Sequence, residues 1–154
     1  MNYQSIVEEI NSIQGKNCFR VAEVSSIEYL ETLRLSEEVL AFYRKHEPAD
    51  IIEINEVRLL PISEIIEEND NYTPGYLLSP HGYCAIASTI YGDIYCIKTS
   101  EGEDRIVLAS HDEISKGQEL NELTQKVKKI GKSFYEFLDA FKGKRLVKSY
   151  YDIE

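Results

Sequence analysis

This sequence predicts an α+β fold: an antiparallel or mixed sheet flanked by N-terminal and C-terminal helices. Three observations predict it. The segments Tyr83 to Ile90, Asp93 to Thr99 and Arg105 to Ser110 are runs rich in Tyr, Ile, Val and Thr, as strands are. Tyr91-Gly92-Asp93 and Glu101-Gly102-Glu103 separate them with turn chemistry at hairpin spacing. Parallel neighbours would need a crossover of about a dozen residues, so this central meander over 83–110 is antiparallel. Helical patterns stand before and after it rather than between its strands, which is the order of an α+β protein.

The elements follow in order. Ile6, Val7, Ile10 and Ile13 recur at helical spacing, Ser5 with Glu8 has the form of a capping box, and Gly15 closes the helix. Cys18 to Val24 is a short apolar run that fits either a strand or a linker. Ser25 and Glu28 repeat the capping-box form ahead of Tyr29, Leu30 and Leu33. Ser36 suits an N-cap, with Glu37 and Glu38 in the first turn where the helix dipole favours acid. That helix turns Val39, Leu40 and Tyr43 inward and is expected to end at Pro48. Asp50 to Leu60 reads as extended through Ile52, Ile54 and Val57, and a short helix follows from Ile62 to Glu68. Glu67 to Gly75 is polar and reads as an exposed loop. After the meander, Ser133 and Glu136 form another capping box, and Phe134, Phe137, Leu138 and Phe141 share one helical face that Gly143 ends. Val127 and Ile130 extend the same stripe upstream across Gly131. The tail, 143–154, fits a strand or disorder. No repeat, low-complexity tract or linker divides the 154 residues, so one domain over 1–154 is expected.

Charge narrows the function. Asp and Glu number 27 against 17 Lys and Arg, a net charge of −10. Residues 126 to 154 carry +4, which leaves −14 on the remainder. Such a field repels nucleic acid and anionic lipid and attracts basic proteins. A solvated face that keeps the chain dispersed is the simpler reading of the same charge. No apolar run approaches the ~20 residues that span a bilayer. The three cysteines, Cys18, Cys84 and Cys96, are an odd set without a close pair, which suits a reducing compartment. Met1-Asn2-Tyr3-Gln4-Ser5 has no basic start leading into an apolar stretch, so a cytoplasmic location is expected.

Catalytic and metal patterns are thin. His46, His81, His111 and the cysteines show no metal-ligand spacing, so no metal or other cofactor is expected. Cys84 near His81, with His111 as a third group, is the best nucleophile candidate, but no surrounding motif orients it. The eight glycines stand singly at turns, with neither G-x-S-x-G nor a phosphate loop. One segment reads as a working surface. Asn71-Tyr72-Thr73-Pro74-Gly75-Tyr76 places Tyr72 and Tyr76 beside Glu67, Glu68 and Asp70. Tyrosine is enriched in protein-binding patches, and acid beside it suits a basic partner. The alternative is that both rings tuck onto the sheet and anchor the loop.

Four stretches give the chain a family likeness. They are Ile27-Glu28-Tyr29-Leu30-Glu31, then Leu35-Ser36-Glu37-Glu38-Val39-Leu40-Ala41-Phe42-Tyr43, and then Val57-Arg58-Leu59-Leu60-Pro61-Ile62-Ser63-Glu64-Ile65. The fourth joins Ala85-Ile86-Ala87 and Gly92-Asp93-Ile94-Tyr95-Cys96-Ile97 to the ending Ser133-Phe134-Tyr135-Glu136-Phe137-Leu138. With these, the chain resembles the SUKH superfamily over about residues 27–142. That superfamily unites a yeast cell-wall-synthesis regulator of the SMI/KNR type with many bacterial immunity proteins. Leu35-Ser36 stands where the family often has Leu-Pro, and His46-Glu47-Pro48 replaces its usual Asn-Gly. The resemblance implies a non-enzymatic protein that binds and blocks a cognate toxin, often a nuclease. The alternative is a regulator or scaffold on the same fold, without a toxin partner. An enzyme or small-ligand protein built on Cys84, His81 and His111 is the third reading.

Overall fold

The computed structural model describes residues 2–101 and 104–153. Its centre is a six-stranded sheet in which chain order equals spatial order and every pairing is antiparallel. The strands are β3 (Ile52–Ile54), β4 (Val57–Leu59), β5 (Tyr83–Thr89), β6 (Ile94–Lys98), β7 (Arg105–Ala109) and β8 (Lys128–Lys129). A two-stranded ribbon precedes it, formed by β1 (Phe19–Arg20) and β2 (Glu47–Pro48). The expected antiparallel meander is present. Part of the turn expected at Glu101-Gly102-Glu103 lies outside the described residues.

Period-two alternation puts the strand residues on two buried faces. Cys84, Ile86, Tyr95, Ile97, Ile106 and Leu108 join the larger cluster, while Tyr83, Ala85, Ile94, Cys96, Val107 and Ala109 join the smaller one. The larger face is covered by α1 (Tyr3–Gln14), α2 (Val24–Thr32), α3 (Glu37–Lys45), α4 (Ile62–Asp70) and α7 (Phe134–Lys142). The smaller is covered by Leu78 of α5 (Gly75–Leu78), Leu123 of α6 (Leu120–Lys126) and Ile114. Helix α7 buries Phe134, Phe137, Leu138, Ala140 and Phe141 against the sheet. Truncating one of those phenylalanines to alanine costs about 3–5 kcal/mol. The Ser133–Glu136 capping box forms as expected, and Ser36 accepts from the Val39 N–H at the start of α3.

Several local expectations are corrected. Ser5 does not cap α1: Asn2 does, accepting from the Ser5 N–H at 3.1 Å, so the helix starts before the apparent box. Ser25 lies inside α2, whose N-cap is Glu23 without a side-chain bond. Pro48 does not end α3. The helix stops at Lys45, and Pro48 pairs with Phe19 in the ribbon, where a missing N–H is tolerated at an edge. Asp50 to Leu60 is a hairpin rather than one extended run, because Asn55 and Glu56 both take positive φ (52° and 70°) and reverse the chain in two residues. Val127 and Ile130 do not extend the α7 stripe. Val127 caps α6, and Lys128–Lys129 pair with Val107 and Leu108 as an edge strand. The tail is ordered by its contacts: Leu146 and Tyr150 are buried, and the Tyr150 N–H donates to Asp93 Oδ2 at 2.8 Å. Among the described residues, no helix is long and apolar enough to cross a membrane.

Candidate functional site

The polar stretch expected to be a loop is the C-terminal half of α4 followed by a tight turn. That is a correction with a clear cause. Asn69 lies four residues after Ile65 on the inner side of α4 and is buried. Strand β4 pairs with β5 only as far as Ala87, with Leu60 donating to Ile86, so the edge of Ala85 has no strand neighbour there. The Asn69 carboxamide fills the gap. Its Nδ2 donates to Ala85 O (3.0 Å) and to Ile65 O (2.8 Å), and its Oδ1 accepts from the Ala85 N–H (2.9 Å). A side chain completes the ladder that a strand would have supplied, and the helix runs on to Asp70 because its polar residue has partners inside.

The other end of α4 is held by Glu47, which is buried. One of its carboxylate oxygens accepts from the Ile62 N–H at 3.1 Å, an acid at a helix N-terminus, and the other accepts from Arg20 Nε at 3.1 Å. At the C-terminal end the chain folds back. The N–H groups of Asn71 and Tyr72 both donate to Glu67 O, and that of Tyr76 donates to Tyr72 O at 2.8 Å. Gly75 packs so closely that a Cβ there would run into the carbonyl oxygen of Glu68.

The five predicted site residues all fall within one segment, the ridge formed by the end of α4 and the turn behind it. Glu67 is half-buried and accepts from Asn71 Nδ2 at 3.0 Å. Glu68 is half-buried as well, and burial, then the charge of Glu64, pushes its carboxyl above the usual range. Asp70 accepts from the Tyr29 hydroxyl at 2.8 Å, which ties the ridge to α2, and burial and that carboxylate raise the Tyr29 phenol. Tyr72 and Tyr76 keep 51% and 47% of their surface in solvent, so neither ring is folded away onto the sheet. The segment thus carries three acidic side chains, Glu67 and Asp70 of them hydrogen-bonded, together with two exposed tyrosines. Sequence reasoning missed Asn69, Glu47 and Tyr29. Only Asn69 carried a readable signal, its spacing of four from Ile65 on the apolar side of the helix.

The thiol–imidazole candidate is not assembled. Cys84 is buried at the foot of the Asn69 clamp, and burial pushes its thiol up to about 12, the wrong direction for a nucleophile. His81 is exposed, and His111 sits beside Asp93 and Asp112. No hydrogen bond joins either imidazole to Cys84 among the described residues. Nor do those residues gather three His, Cys, Asp or Glu side chains that would hold a metal ion.

Against known families, the SMI1 / KNR4 family (SUKH-1) matches residues 20–140. The chain belongs to that family. A search of curated proteins returned no match. SUKH membership accords with the α+β architecture of helices on an antiparallel sheet, and with an immunity or regulatory role.

Proposed function

We propose that this SUKH protein is a binding module that neutralises a basic toxin protein, a nuclease being one such target, by occupying it directly. The observation that carries the reading is the ridge itself: Tyr72 and Tyr76 exposed beside Glu67, Glu68 and Asp70, on a backbone that Asn69 anchors to the sheet. A rigid platform limits the ordering cost of binding, and a chain at −10 draws a cationic partner in from a distance. Family membership supports the class of activity. Three buried, unpaired cysteines suit action in the cytoplasm.

The test is capture on the immobilised protein from an extract of the source cell, followed by titration of what is retained against the native chain and the charge reversal Glu67→Lys, Glu68→Lys, Asp70→Lys. The expected results are a basic toxin, one-to-one binding that weakens as salt rises, and at least a tenfold loss in the variant. Unchanged affinity in the variant would remove the ridge from the interface. A captured partner without toxic activity would favour the regulatory reading of the same fold.

A further inference from the structure

The smaller face of the sheet is covered by two short helices, α5 of four residues and α6 of seven. Helix α6 stops at Lys126, and Val127 is already extended as the chain turns into β8. A hollow of about 240 Å³ remains beside α6. Strand register places its lining. Tyr83 faces Lys98, and Lys98 faces Arg105, in one row across β5, β6 and β7; Val107 faces Lys129 in the next. Residues directly opposite one another share a face of a sheet. Tyr83 and Val107 are buried and form the floor, Thr124 and Val127 border it from α6, and the three cations surround it. Gly131 adds no wall, since nothing lies within 4 Å of where its Cβ would stand.

Its charge runs against that of the chain. The sequence has 27 acidic residues to 17 basic ones, yet among the described residues this lining holds three basic side chains and no acidic one. Lys98 and Arg105 are engaged by other groups of the chain, which leaves Lys129 to decide the matter. The two lysines of β8 point to opposite faces and are used differently. Lys128, opposite Leu108, donates to the carbonyls of Tyr150 and Ile153 at 3.0 and 2.8 Å and so holds the tail. Lys129, on the hollow's side, is exposed and has no ion pair among the described residues.

We infer that this hollow binds a small organic carboxylate with one ring-sized apolar body, the ring on Tyr83, Val107 and Val127 and the carboxylate toward Lys129. An apolar lining with a few convergent polar groups is the usual make-up of a small-molecule site. The volume falls below the roughly 300–1,000 Å³ of sites for drug-sized ligands, which limits the body to about one ring. A cationic hollow repels a basic protein, so the inference goes beyond the proposed function and does not rest on it.

Phenylacetate is the probe. Amide spectra of the full chain would be recorded during its titration and, in parallel, with phenylacetamide, which lacks the charge, and acetate, which lacks the ring. Saturable shifts centred on Tyr83, Val107, Val127 and Lys129 are expected from phenylacetate alone. Lys129→Gln, at an exposed edge position, should weaken binding by about tenfold, the worth of one hydrogen bond to a charged group. Thr124→Trp, at an exposed helix position, should fill the hollow and abolish the shifts. Equal response to phenylacetamide or acetate, no saturable shift, or full binding by the Thr124→Trp protein would overturn the assignment. Charge reversal on the ridge leaves this titration untouched, so the two readings fail separately.

Discussion

Asn69 and Ala85 exchange two hydrogen bonds, Nδ2 to O at 3.0 Å and N to Oδ1 at 2.9 Å, so a helix side chain stands in for a missing strand. The ridge depends on it. Asn69→Leu keeps the volume but leaves the Ala85 N–H and C=O without partners, each worth about 1–3 kcal/mol when buried. A loss of about 3 kcal/mol in urea unfolding is expected, with faster hydrogen exchange along Glu67–Tyr76. Full stability in this variant would mean that β5 is satisfied some other way.

Glu47 and Arg20 make a lopsided pair, the carboxylate buried and the guanidinium half-exposed at 53%. The two ends should therefore fail unequally. Arg20→Leu strands a buried charge, which costs about 3 kcal/mol or more. Glu47→Gln keeps an oxygen for the Ile62 N–H and releases Arg20 to water, a loss of about 1 kcal/mol. Denaturant midpoints of the two variants decide it. The opposite order would show that the carboxylate is held mainly by α4.

What the sequence made readable, and what it hid, divide along local and non-local lines. The meander and α7 declare themselves because alternation, turn glycines and a Ser133–Glu136 box are written within about ten residues of each other. The ridge residues were legible as acid and tyrosine in a polar tract, but not as a helix end, since what keeps α4 going is Ala85, sixteen positions later. Strand β8 was hidden because two lysines carry no apolar alternation; edge strands favour such residues. The false capping boxes at Ser5 and Ser25 arose because S-x-x-E is common in acidic helices whose true caps lie a few residues earlier.

The thiols should be inert. Burial raises Cys18, pushes Cys84 up to about 12 and holds Cys96 well above its ordinary value. The thiolate is the reactive form. At mildly alkaline pH a disulfide reagent should label none of the three in the native protein within minutes and all three in denaturant. Rapid labelling of Cys84 in the folded state would reopen the nucleophile question.

Alkali should destabilise the fold before it ionises the core. Burial first, then neighbouring carboxylates, holds the phenols of Tyr3 and Tyr95 above their ordinary value. In the unfolded chain these groups lose protons near pH 10, about their unperturbed value. Above that pH the unfolded state binds fewer protons than the folded state, so stability is full below about pH 10 and falls as pH rises. Urea midpoints at about pH 8 and about pH 11 measure the fall. Constant midpoints across that range would refute it.

Tyr43 gives the converse of Asn69. Its ring is fully buried in the cluster around Phe42 and Phe134, but its hydroxyl has no hydrogen-bond partner among the described residues. A buried, unpaired hydroxyl costs free energy that a hydrogen atom in its place does not. Tyr43→Phe should therefore stabilise the protein by about 1 kcal/mol, a rise of about 2–4 °C in Tm for a chain of this size. The ring contacts stay, so the gain isolates the hydroxyl. A loss of more than about 1 kcal/mol would instead reveal a partner for that oxygen, most directly a buried water beside Tyr43. Calorimetry on the two proteins separates these outcomes, since one predicts a higher Tm and the other a lower one.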